Sequence, residues 1–466
     1  MHIRFASTLA AALLAPGAGA LAQDCPVPGR QPATMDLIAL VEGDPLVQEQ
    51  LTRSIALGQS INSDPKTNPV ASLEDYYDFV DALVPPQNIN TGTFDGAIRV
   101  SMDGKNYCNW NILDLLSYSY FLVDRQLTTD PRGQIQFEND AFSEWMREIA
   151  VEWGKYLETP ASSAHVPDFT SDPNFGSWYC PPEDGYQTFQ DFFVRELCTA
   201  QFPTGSRPVE GYGDPATVVS IGDSNSAGWW PISSNGKLVT TYDGVAQSGE
   251  VIKGQLYSDV FEFISGKDGE KVIETFGSLD PELFKGGTWT HQFLNVNNYH
   301  RLHVPVAGKI VYFKHLQAGV RMKSGWSAAR QPGEVSHYDP QDTVDWQFGQ
   351  TRMVIGIETE DYGTVVISPM GMAQVSSIVK RDWVQENAMA DKGWEFANFA
   401  FGGSDFVVIF EPRAEFVLTV DTAPEEAPGA GVNYLPSVQG QKYGCFGGVT
   451  SCSATPETPP APPSGN

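Results

Sequence analysis

Positive charge is scarce in this chain: 29 Lys and Arg stand against 57 Asp and Glu over 466 residues, a formal charge of −28. A surface of that sign repels polyanions, which excludes nucleic acid as a partner and leaves only transient contact with an acidic membrane. Much of the charge serves solubility. No stretch is long and apolar enough for a transmembrane helix. Metal-binding patterns are missing as well: there is no C-x-x-C pair and no H-E-x-x-H, and the seven histidines are scattered. Neither structural nor catalytic zinc is expected.

What is present is a globular composition, 41% hydrophobic and 12% aromatic, with room for two or three domains. The opening MHIRFASTLAAALLAPGAGALA has a basic start, a short apolar run and Ala20-Leu21-Ala22 as a small-residue cleavage site. It reads as a secretory leader over residues 1–22, cut before Gln23, and predicts an exported protein, periplasmic or secreted, soluble after cleavage. Cys25 falls too late to carry a lipid. The six cysteines all lie beyond the leader, an even number in an exported chain. Cys445 and Cys452, close in sequence, are the expected disulfide; the other pairings stay open.

From 23 to about 175 the pattern is helical. Residues 35–60 and 75–83 show helical spacing of apolar positions, and 109–123 reads as a mostly buried helix. In 138–157, Phe142, Trp145, Met146, Ile149, Trp153, Tyr156 and Leu157 recur at steps of three and four and predict one core-facing stripe. Prolines and polar residues between 160 and 182 mark a boundary. From 176 to 452 the text turns to β-branched, alternating runs broken by Gly- and Asp-containing turns, as in an antiparallel barrel-like or sandwich domain. The predicted fold class is therefore α+β, a helical N-terminal domain followed by a β-rich one. Residues 453–466, SATPETPPAPPSGN, are Pro-rich and predict a disordered tail.

Three places in the β-rich part carry chemistry. Asp223 follows the run TVVSIG and sits just past a strand, where an ordinary turn aspartate also fits. His300 and His303 flank an arginine in YHRLH; extended, they point to opposite faces, and in a turn they meet. In FGGSDFVVIF two glycines lead to Ser404 ahead of an apolar strand, leaving the Gly403 carbonyl open to close approach.

Taken in order, FFVREL, VVSIGDS, IKGQLYS, YHRLHVPVAG, TR followed by MGMAQVSSI, and FGGS followed by VVIFEP resemble the phosphatidylserine decarboxylase family of pyruvoyl enzymes, over residues 186–445. The segment FSEWMREIAVEWGKYLETPASS resembles, more loosely, the extra domain of members that include fungal tryptophan decarboxylases.

The resemblance implies a proenzyme that cuts itself between Gly403 and Ser404. Asp223 would orient His303, and His303 would take the proton of the attacking Ser404 hydroxyl. Ser404 would end as a covalent pyruvoyl group, which forms a Schiff base with a substrate amine and accepts electrons as carbon dioxide leaves. His300 would position the substrate or return the proton. The small chain 404–466 would stay bound, and the turn Gly371–Ser377 would let substrate approach.

Phosphatidylserine, giving phosphatidylethanolamine, and a free aromatic amino acid such as tryptophan both fit as substrates. Asp405 stands where the family usually has threonine, and its charge beside the forming oxyanion would slow attack. A catalytically silent exported binding homologue is the reading of another class. Residues 323–346 also depart from the family's short connection.

Overall fold

The structure is a computed structural model. It describes residues 29–84, 102–110, 112–129, 133–170, 178–242, 245–248, 259–266, 270–294, 298–330, 334–340, 349–371, 377–400, 404–420 and 435–463. The expected leader, Cys25 and Gly403 lie outside the described residues, as do 372–376 of the Gly371–Ser377 turn.

The helical part starts with α1 (Pro32–Gly43) and α2 (Pro45–Ile61), where the sequence reads as one helical stretch. Pro45 ends the run, because a proline has no amide to give and fits only in a helix's first turn; the Asp44 side chain accepts from the Leu46 amide. Helix α3 (Leu73–Leu83) begins at Ser72, whose hydroxyl accepts from the Asp75 amide, and α4 (Ile112–Phe121) follows. Helix α5 (Asp140–Leu157), capped by Asn139, buries Phe142, Trp145, Ile149, Trp153 and Leu157 as the periodicity requires; Met146 and Tyr156 are partly buried beside them. Its tryptophans also tie helices together: the Trp145 indole donates to the Ala33 carbonyl at 2.9 Å, and that of Trp153 to Leu83 at 2.8 Å.

Two short helices, α6 (Phe189–Phe193) and α7 (Val260–Ser265), belong to the β-rich part. A nine-stranded antiparallel sheet dominates it. In chain order its strands are β1 (Ser224–Pro231), β2 (Lys271–Gly277), β3 (Thr288–Leu294), β4 (Gly308–Gln317), β5 (Arg352–Glu358), β6 (Thr364–Gly371), β7 (Met389–Ala390), β8 (Ser404–Phe410) and β9 (Leu435–Ser437). In space they run β7-β4-β5-β6-β8-β3-β1-β9, with β2 also pairing to β4. The α+β architecture is thus the one that periodicity and alternation predict.

Around β8 both faces of the sheet are covered. Phe406, Val408 and Phe410 of β8 join a core that reaches the N-terminal helices, whereas Val407 and Ile409 pack on the other face with Val260, Phe263 and Ile264 of α7. Every residue of β8 is buried, which explains its nearly unbroken apolar run. Ser404 and Asp405 are the polar exceptions.

The helical part docks on a hairpin, Ser324–Ser327 with His337–Pro340, that falls within the atypical segment 323–346. Tyr338 is its anchor. The ring sits 4.9 Å from that of Tyr118 and 4.8 Å from that of Phe121, centre to centre. Its hydroxyl accepts from Asn62 and donates to the Thr67 carbonyl, both at 2.9 Å.

The expected Cys445–Cys452 disulfide is formed, and Cys180 bonds Cys198. The disordered tail is a correction. Pro456–Glu457 pair with Val209–Glu210, Pro459 is buried, and the Trp394 indole donates to the Pro460 carbonyl at 2.9 Å. Proline content reads as a disorder signal, but proline's fixed φ suits an extended edge segment that needs few donors of its own.

Candidate active site

Ser404 is the first residue of β8 and lies opposite Gly371 of β6 and Leu294 of β3. Successive strand residues face opposite ways, so Ser404 shares a face with Phe406 and Val408. It is fully buried, and its hydroxyl has no hydrogen-bond partner among the described residues.

The backbone segments that carry the other candidates approach that face, though no hydrogen bond joins Ser404 to Asp223, His300 or His303. The ideal Cβ position of Gly222 is in contact range of Leu302 at 3.5 Å and of the Phe406 ring at 3.8 Å, so the Asp223 turn, the histidine strand and β8 meet there. The His303 amide donates to the Ile221 carbonyl at 2.8 Å. The Phe399 amide donates to the carbonyl of His300, and the strand Glu395–Phe399 leads through 400–403 to Ser404.

The His303 ring is bonded at both nitrogens. Nδ1 lies 2.7 Å from the Gly393 carbonyl, which can only accept, so Nδ1 carries the proton; Nε2, the unprotonated nitrogen, accepts from the Tyr299 hydroxyl at 3.1 Å. Burial pushes the pKa of His303 down to about 4, against the pull of Glu395 and the Gly393 carbonyl. The ring is therefore a neutral base. Burial also raises the Tyr299 pKa well above its usual value, keeping that phenol a donor.

Asp223 is held otherwise than the resemblance implies. Arg207 grips it with two hydrogen bonds, of 2.6 and 2.9 Å, and the Gln439 amide donates at 3.0 Å. No hydrogen bond joins Asp223 to His303, because a bidentate guanidinium is the stronger partner for a carboxylate. The link is indirect: Arg207 lies over the Tyr299 ring, 5.3 Å from its centre, and Tyr299 meets His303.

His300 is buried and stacked on Phe193 of α6, ring centres 3.6 Å apart. Neither ring nitrogen has a well-formed hydrogen bond. Burial, then the charge of Arg195, hold its pKa well below the ordinary value, and the Asn298 carbonyl opposes this weakly.

Asp405 faces away from Ser404. Its Oδ2 accepts from His291 Nε2 at 2.7 Å on the opposite side of the sheet, so its charge does not share a face with the serine. His291, Tyr299, Arg207 and Gly393 were not among the residues expected from sequence. The available signal for His291 was the polar triplet Thr290-His291-Gln292 inside an otherwise buried strand.

The phosphatidylserine decarboxylase family model matches residues 189–430, more than half of the chain. The chain belongs to the phosphatidylserine decarboxylase family. It is 26% identical over 277 residues to phosphatidylserine decarboxylase proenzyme 2 of Oryza sativa subsp. japonica, a match covering 58% of this chain and 37% of that protein. It is 26% identical over 324 residues to decarboxylase iboD of Amanita muscaria, covering 63% and 83% respectively. It is 27% identical over 246 residues to L-tryptophan decarboxylase of Psilocybe cubensis, covering 51% and 49%. The match takes in little more than a third of the rice protein's length.

Proposed function

We propose that the chain is a self-processing decarboxylase that cuts itself between Gly403 and Ser404 and carries a pyruvoyl group made from Ser404. One observation above all supports this: a fully buried serine at the head of the central strand whose hydroxyl has no partner among the described residues. An unmade hydrogen bond of that kind costs about 1–3 kcal/mol. A pyruvoyl group in its place has a carbonyl and a methyl and no O–H to satisfy, so the site fits it.

In the cut, Ser404 Oγ bonds to the Gly403 carbonyl carbon, the C–N bond breaks, and the hydroxyl proton goes to His303 Nε2 once that nitrogen gives up its bond from the Tyr299 hydroxyl. Loss of the Ser404 Cα proton expels the Gly403 carboxylate, and water replaces nitrogen as ammonia leaves. Once formed, the pyruvoyl group supplies an electron-accepting carbonyl for loss of carbon dioxide from a substrate with a free amine. His300, whose ring nitrogens have no well-formed hydrogen bond among the described residues, is the residue proposed to position that substrate or return a proton. The large chain to Gly403 and the small chain 404–466 would remain together through the sheet. Two disulfides support the export reading.

Phosphatidylserine is the substrate that the family favours. A free aromatic amino acid is the second reading, supported by the formal charge of −28, which disfavours an anionic lipid surface.

Intact-mass measurement of the reduced protein tests the cut: two chains divided before residue 404, the smaller bearing a ketone in place of its amine. Ser404→Ala should give one uncut, inactive chain. An uncut native chain with an ordinary serine would leave only the silent binding homologue. Carbon dioxide release from phosphatidylserine vesicles against free tryptophan separates the substrates.

A further inference from the structure

We propose that His291 and Asp405 are a positioning pair that holds the reactive end of β8 from behind; this rests on the proposed cut before Ser404. The pair is built from opposite sides of that cut. His291 belongs to β3, in the large chain, and Asp405 would be the second residue of the small chain. Its carboxylate is fully buried, and Oδ2 accepts from His291 Nε2 at 2.7 Å, while Oδ1 has no partner among the described residues.

The bond runs diagonally across the ladder. Asp405 lies directly opposite Phe293, and His291 directly opposite Val407, so the pair spans two rungs. A diagonal tie resists both sliding of β8 along β3 and rotation of its first residues. Such a tie matters most where the chain has just lost its covalent continuation, since strand ends fray unless something fixes them. Asp405 is the first side chain after the reacting residue. Fixing it on one face fixes the direction of residue 404 on the other. Packing alone does not explain the choice, because a buried carboxylate with one oxygen unpaired is costly where an apolar residue would fill the same strand position.

The test uses the full chain with His291→Gln, Asp405→Asn and the double variant, whose two amides can hydrogen-bond each other. Three readouts are taken: the rate at which new precursor is cut, the rate at which phenylhydrazine captures the ketone of mature protein, followed by hydrazone absorbance, and the thermal midpoint. Each single variant should slow cutting and alter capture by about tenfold, as expected for a misplaced reacting group. The double variant should recover part of both while its thermal midpoint stays near those of the single variants.

Folded variants that are cut and captured within about twofold of native, in a native protein that is itself cut, would make the pair packing only and leave the proposed function standing. If the single variants do not fold, His291→Leu with Asp405→Val, which removes the tie and fills the positions with apolar groups, decides: native rates overturn the proposal, slowed rates support it. A native protein that is neither cut nor captured overturns the proposed function, and this inference with it.

Discussion

The indole of Trp394 donates to the carbonyl of Pro460 at 2.9 Å, and Gly393, the residue before it, accepts from His303 Nδ1 at 2.7 Å. The Pro-rich tail is thereby fastened beside the turn that orients the site's neutral histidine. Ser453 and Thr455 extend the attachment, bonding Asp214 and Gly211 at 2.9 and 2.8 Å.

Trp394→Phe keeps an aromatic ring, smaller than the indole, and removes the donor. It should cost about 1 kcal/mol in urea unfolding and make the tail after Cys452 markedly easier to clip with protease. Equal clipping of both proteins would mean that this hydrogen bond does not secure the tail.

Arg207 and Asp223 are both buried, and both terminal nitrogens of the guanidinium bond the carboxylate. Arg207→Met leaves a buried carboxylate with one backbone amide for company and should destabilise the uncut Ser404→Ala chain by about 3–5 kcal/mol. Adding Asp223→Leu should recover part of that loss. A double variant no more stable than Arg207→Met would show that the lost packing, rather than the stranded charge, sets the cost.

Acid should weaken the fold through the two histidines. Both have folded pKa values below the ordinary 6.5, His303 at about 4, so the unfolded chain binds protons that the folded chain refuses. Their contribution is complete above the unfolded value and is lost as pH falls below it, for His303 down to about 4. For His303 this is on the order of 3 kcal/mol between about pH 7 and about pH 4. Urea midpoints of Ser404→Ala, with and without His303→Gln, measure it; identical slopes with pH would remove His303 as the cause.

Local features were legible and distant ones were not. The α5 stripe follows from spacing alone, since a helix brings every third and fourth residue to one face. The segment 323–346 stands out in sequence, but its role does not: Tyr338 finds Asn62 from 276 positions away. For the same reason the motifs bring out Asp223, His303 and Ser404 as candidates yet misassign the partner of Asp223, because nothing near that turn announces Arg207. Asp405 is different. Strand alternation already implied that it faces away from Ser404, and that signal was in the text.

Strand β8 lies between β6 and β3, and both neighbours precede Gly403 in the chain. If the chain is cut as proposed, this order gives the uncut form a task separate from chemistry. While the chain is whole, β8 reaches its slot as the continuation of the preceding segments, an intramolecular step. Once opened at 403, it could return only by finding a long groove between two strands of another polypeptide, a bimolecular search in which the bare edges of β6 and β3 would meet competitors first. The mature protein would then persist because it unfolds slowly, not because it can be rebuilt, and its lifetime would be set by an unfolding rate rather than by an equilibrium.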